Sequence, residues 1–216
     1  MEPEDQWCEL RMWRSVGVET SVELLGVTSG VAFCMAPIFD YPLMWTNLHC
    51  ALYVVLCYLG AGTIVYHTIP NKEVNGQALA YMMDYVPMVL TCAFLSFLYA
   101  WSFVKILCKW AVFAVFSALV GWVLFLIMSV YLVSVTIRNA VMVTLPVLIF
   151  SVYSYFVLGK QSLRIWLLLI TSLIIWLINK ELCGIQYWLA IFHAIYHVCI
   201  AYALWGAGKL GIDLLQ

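Results

Sequence analysis

The sequence predicts an all-α membrane protein, a seven-transmembrane helix bundle, on three observations. Of its 216 residues, 66% are hydrophobic and only 10% charged, with a mean hydropathy of +1.01, too little polar surface to cover a water-soluble fold. The apolar residues fall in runs of roughly 20, the length that crosses ~30 Å of hydrocarbon. Ten Trp, thirteen Tyr and eleven Phe suit a chain that needs amphipathic rings at two bilayer interfaces. A net charge of -1 gives no basic field for nucleic acid.

The elements follow from the breaks between apolar runs. Residues 1–20 read as an acidic loop. MEPEDQWCEL is acidic where a signal peptide carries a positive n-region, so the first helix is expected to insert by itself. Seven membrane helices are expected over residues 21–208, near Ser21–Phe39, Asn47–Ile69, Gln77–Trp101, Trp110–Val135, Ala140–Leu158, Ile165–Cys183 and Gln186–Gly208. DYPLMW, PNKEVNG, the Lys105 to Lys109 segment, TIRN, GKQSLR and NKELCG separate them. The brevity of NKELCG makes helices six and seven antiparallel neighbours. Residues 209–216 are a short tail, and the chain is one domain over 1–216. The ten Lys and Arg divide evenly between the two sides, so the positive-inside rule leaves the orientation open.

Polar groups inside a membrane are costly enough to mark functional sites, and the histidines are taken in that light. FHAIYHV places His193 and His197 four residues apart on one helix face, in the first half of helix seven. His67 closes helix two on the same side, and Asp84 lies two turns into helix three, which begins there. His49 is eighteen residues before His67, which at ~1.5 Å per residue puts it near the opposite face. Three neutral imidazoles with a fourth position open to water are the arrangement of a catalytic zinc site. Asp84 is then the general acid and base, and Thr63, one turn before His67, offers a hydroxyl to an oxyanion or to the bound water. Read singly, the HxxxH pair also fits hydrogen-bonded packing, a haem or a proton relay, and Thr63 also fits a bond to its own backbone. What sets the metal reading apart is that all these groups lie at one depth.

These residues resemble the CREST superfamily of seven-helix membrane hydrolases, and within it the alkaline ceramidases. GAGTIVYH is similar to the family's segment in which a serine precedes the histidine by four, with Thr63 in place of the serine. MMDYVPMVL resembles its aspartate and proline-methionine run and sets Asp84 on the family aspartate. FHAIYHV resembles its His-Ala-aromatic-aromatic-His, with Ile195 where an aromatic is usual. WLINKELC is similar to a segment ending helix six, QWCEL to the family's aspartate-tryptophan-cysteine-glutamate, and ELLGVTSG to a glutamate leading into helix one.

The resemblance implies Zn²⁺ on His67, His193 and His197, and hydrolysis of ceramides to sphingosine and a fatty acid. It further implies an endoplasmic reticulum or Golgi membrane with the N-terminus lumenal. It also implies Ca²⁺ on an N-terminal acidic loop, where Trp7, Glu9 and Glu23 match ligand positions while Gln6 and Arg11 replace an aspartate and an asparagine. Cys8 and Cys183 match family cysteines that resemble a bridged pair. The remaining cysteines, Cys34, Cys50, Cys57, Cys92, Cys108 and Cys199, read as small apolar packing residues. Three other readings stay open. One is a receptor-like protein of the progestin and adiponectin receptor branch with a retained metal site. Another is a catalytically weakened lipid-binding relative, and the last an ester-cleaving relative of the branch that remodels glycosylphosphatidylinositol lipids.

Overall fold

A computed structural model describes residues 4–19, 23–39, 46–69, 77–104, 109–128, 159–182 and 185–215. Every regular element among them is helical. In chain order these are α1 (Glu4–Ser15), α2 (Leu24–Gly30), α3 (Ala32–Phe39), α4 (Asn47–Thr68), α5 (Gln77–Val104), α6 (Lys109–Met128), α7 (Leu163–Leu182) and α8 (Ile191–Asp213). A 3₁₀ turn at Gly159–Ser162 leads into α7, and another at Tyr187–Ala190 leads into α8. The expected fifth membrane helix, Ala140–Leu158, lies outside the described residues.

Among the described residues, three stretches are long and apolar enough to cross a membrane: Asn47–Thr68, Met83–Trp101 and Tyr187–Asp213. They make the chain a membrane protein, and their outward faces agree. Leu163, Leu167, Ile170, Ile174 and Leu177 are all exposed on α7. Their spacing of three and four residues draws one greasy stripe down the helix. A stripe of that size is a liability in water and ordinary against lipid tails. Trp101 and Trp188, at the ends of two of these spans, are also exposed, as interface tryptophans are.

The residues expected to form an acidic loop form a helix instead, α1. Met12 on α1 is buried and packs with Ala190 of the second 3₁₀ turn, so a short amphipathic segment gains structure by docking on the bundle rather than by its own propensity. The first expected membrane helix is divided at Val31 into α2 and α3. Gly30 meets α4 there: a Cβ at Gly60 would stand 2.7 Å from the Gly30 carbonyl oxygen, and one at Gly30 would meet Gly60 and Ile64. Small residues let membrane helices approach to this distance, where van der Waals contact replaces the missing hydrophobic drive.

The core holds the elements in register around α8. Phe33 and Ala36 of α3, Leu52, Leu56 and Leu59 of α4, Leu95 and Leu98 of α5, and Ala201 and Trp205 of α8 form one buried cluster. The expected antiparallel pairing of the last two helices is present: Ile165, at the start of α7, packs against Gly206 and Ala207, near the end of α8. His49 is buried at the start of α4, where Thr46 and His49 form a reciprocal cap, one helix length from the other histidines.

Candidate metal centre

His67 stands in the last turn of α4, while His193 and His197 stand in the first two turns of α8. Their rings converge, with centroids 5.3 Å apart for His67 and His193, 5.5 Å for His67 and His197, and 4.6 Å for His193 and His197. One nitrogen from each lies within 4.8 Å of the other two. His67 and His197 are buried and His193 is half-buried. The donor set is one that suits a borderline ion such as zinc: three imidazole nitrogens, all within 4.8 Å of one another.

Beside the histidines, the Thr63 hydroxyl donates to Asp84 Oδ1 at 2.8 Å. This contact across α4 and α5 rests on the residues next to each partner. Pro87 has no N–H to give the carbonyl four residues back, which is that of Met83 on the helix α5. That carbonyl presses instead on Gly62, where a Cβ would collide with it and with Pro87. Glycine at 62 and proline at 87 thus bring the helices close enough for Thr63 to reach Asp84. A hydroxyl with its proton on Asp84 orients that carboxylate, which narrows the role expected for Thr63 toward positioning.

Two polar residues from α2 and its N-cap also meet the histidines. The Glu23 carboxylate accepts a hydrogen bond from His67 Nδ1, and the Glu23 backbone N–H donates to the His67 carbonyl at 3.2 Å. Ser29 Oγ lies 2.7 Å from His197 Nδ1. Ser29 had no place in the reading of the sequence. The signal available was the spacing of Glu23, Gly26 and Ser29, three apart and so on one helix face.

Of the residues matched to a calcium loop, Glu9 is buried and its carboxylate accepts from the backbone N–H groups of Leu25 and Gly26 and from the Trp13 indole. It caps α2 from a distance, satisfying N–H groups of the first turn that have no partner within the helix. Burial pushes the Glu9 carboxyl above the usual carboxylate range, against the opposing pull of these hydrogen bonds. Glu23 faces His67. The side chain of Trp7 lies outside the described residues, as do the side chain of Cys8 and all of Cys183. Cys34, Cys50, Cys57, Cys92 and Cys199 are free thiols. Ile195 is exposed and does not line the cavity beside the histidines.

That cavity, about 150 Å³, opens among Thr63, Asp84, Tyr196 and His197 and continues between α5 and α8 past Thr91, Ser96 and Ala203 toward Tyr99 and Ala207. Its lining is almost wholly apolar. At that end the Tyr99 hydroxyl donates to the Ala207 carbonyl at 2.6 Å. From Asp84 to Tyr99 is fifteen residues of one helix, about 22 Å, so the cavity runs along the bundle rather than across it. No family model matches the chain, and no curated protein matches it.

Proposed function

We propose that the chain is a seven-helix membrane hydrolase of the alkaline ceramidase kind. In this reading it carries zinc on His67, His193 and His197 and cleaves the amide of ceramide-type lipids to a sphingoid base and a free fatty acid, in the endoplasmic reticulum or Golgi membrane. One observation carries the reading: three converging imidazoles stand beside a hydrogen-bonded Thr63–Asp84 pair that, with His197, lines an apolar cavity. A proton relay or a packing cluster has no need of an apolar cavity leading away from it, whereas a lipid hydrolase does.

Bound zinc supplies Lewis acidity, drawing the pKa of a water down toward ~7. The residues of the chain do the rest. Asp84, held by Thr63, takes the proton of the attacking water and returns it to the leaving amine nitrogen. His67, His193 and His197 would hold the ion as neutral imidazoles, each through an unprotonated ring nitrogen, and take no part in the proton transfer. The cavity takes a hydrocarbon chain of the lipid, which enters sideways from the bilayer, while water reaches the histidines from the nearer face.

The test is fatty-acid release from ceramides by purified protein, comparing wild type with Asp84→Asn. Loss of a general acid and base lowers the rate by about 10²–10⁴-fold, with bound zinc retained. Release unaffected by the substitution, or zinc-loaded wild type that releases nothing, contradicts the reading. An ester lipid assayed beside the amide decides between the two linkages.

A further inference from the structure

The face of α2 that turns to the histidines is Glu23, Gly26 and Ser29, and each of the three is fitted to an imidazole. A Cβ at Gly26 would overlap the His67 ring at Cγ and Nδ1, so only glycine there lets the ring lie against the helix backbone. Glu23 meets His67 at Nδ1. An ionised carboxylate is an acceptor only, so the ring supplies the proton and its Nδ1 is the N–H nitrogen.

Ser29 fixes the second ring by a similar count. Its hydroxyl donates to the Gly26 carbonyl at 2.9 Å, and a hydroxyl has one proton. With that proton on Gly26, the oxygen 2.7 Å from His197 Nδ1 is an acceptor, and His197 Nδ1 is again the donor. Both rings are therefore left with Nε2 bare. Imidazole in water prefers the opposite tautomer, with the proton on Nε2, so these contacts change the state of the rings and do not merely follow it.

We infer that Glu23 and Ser29 are positioning residues that lock His67 and His197 in the Nδ1–H tautomer, presenting Nε2 of each to a divalent metal ion. This rests on the metal reading above for its purpose, but the tautomers themselves are a property of the metal-free protein. Carboxylates and other acceptors behind metal-bound histidines fix ring orientation and raise ligand basicity, and losing one typically weakens metal binding 10–100-fold. The inference places α2, a short helix that contributes no ligand, in control of the centre.

The experiment uses full-length protein in nanodiscs, with ring-¹⁵N histidine, stripped of metal and held at a pH where the rings are neutral. There are only four histidines to resolve, and two-bond ¹H–¹⁵N correlations report each tautomer. Wild type is expected to show His67 and His197 as Nδ1–H. Ser29→Ala should release His197 alone toward the Nε2–H form, Glu23→Ala should release His67 alone, and Glu23→Gln, whose amide oxygen still accepts, should keep the wild-type pattern. Zinc competition with a chelator should then show a 10–100-fold loss for Glu23→Ala, a loss in the same direction for Ser29→Ala, and near-wild-type affinity for Glu23→Gln. Wild-type rings in the Nε2–H form, or tautomers unmoved by both alanine variants, overturn the inference. If wild type shows the expected tautomers yet binds no zinc, the metal reading falls and the positioning claim stands.

Discussion

Thr63 donates its hydroxyl proton to Asp84 Oδ1 at 2.8 Å, joining the end of α4 to the second turn of α5 beside the three histidines. A hydrogen bond to a charged group is worth about 1.5–3 kcal/mol, so losing it should lower turnover by roughly 10–100-fold. Thr63→Ala is expected to show that loss with zinc still bound, and Thr63→Ser to recover most of the rate. Equal activity of Thr63→Ala and wild type in a fatty-acid release assay would show that Asp84 needs no such support.

Gly62 is where the helix pair is tightest. Gly62→Ala sets a methyl on the Met83 carbonyl and Pro87, and overpacking of that kind costs about 1–3 kcal/mol. The variant should unfold at lower temperature and lose activity beyond what its stability explains, because Thr63 and Asp84 are the neighbouring residues. Gly121→Ala, where an added Cβ meets nothing within 4 Å among the described residues, is the matched control and should behave as wild type. Thermal unfolding followed by tryptophan fluorescence, with activity at a permissive temperature, checks both.

The cavity gives a prediction on substrate length. Ala203 lines it midway and is fully buried, so Ala203→Leu fills space that the hydrocarbon chain is expected to occupy. Turnover of a long-chain amide should fall by about tenfold, corresponding to ~1.4 kcal/mol, with a short-chain amide little affected. A parallel fall on both substrates would place the chain elsewhere.

Glu9 gives a pH dependence outside the membrane-spanning segments. Its folded pKa is raised above the ordinary 4.5 by burial, so the fold favours the neutral form. The stability this group contributes is then fully present below the unfolded value and is lost as pH rises through the raised folded value. Glu9→Gln, a neutral isostere, removes that dependence. The difference in thermal midpoint between the two proteins is expected to move against wild type as pH rises from 4.5. A constant difference would mean that Glu9 titrates alike in folded and unfolded chains.

The residues that hold the account together were legible to different degrees, and the reasons are physical. His67, Asp84, His193 and His197 could be set at one depth because helical rise is a fixed length per residue, and an ionisable group in an apolar run stands out. The boundaries of α4 and α7 follow closely from DYPLMW and from GKQSLR and NKELCG, polar and proline-bearing breaks that mark helix ends chemically. Ser29 was not legible. A serine in an apolar helix ordinarily bonds a carbonyl one turn back, as Ser29 does with Gly26, and its second contact to His197 spans 168 residues of sequence. The docking of α1 on Ala190 was hidden for the same reason, since a short helix held by tertiary contact carries little local signal. Glu23 was singled out for an oxygen-rich cation site, yet its carboxylate faces an imidazole, a choice that depends on where α2 crosses α4 at Gly30 and Gly60.

The most direct test is to purify the full chain, measure bound metal by elemental mass spectrometry, and assay fatty-acid release from ceramides with wild type and His197→Ala. The account predicts about one zinc per chain with measurable release in wild type, and the loss of both in His197→Ala. Metal-free wild type, or a His197→Ala protein that keeps both its zinc and its activity, would contradict it.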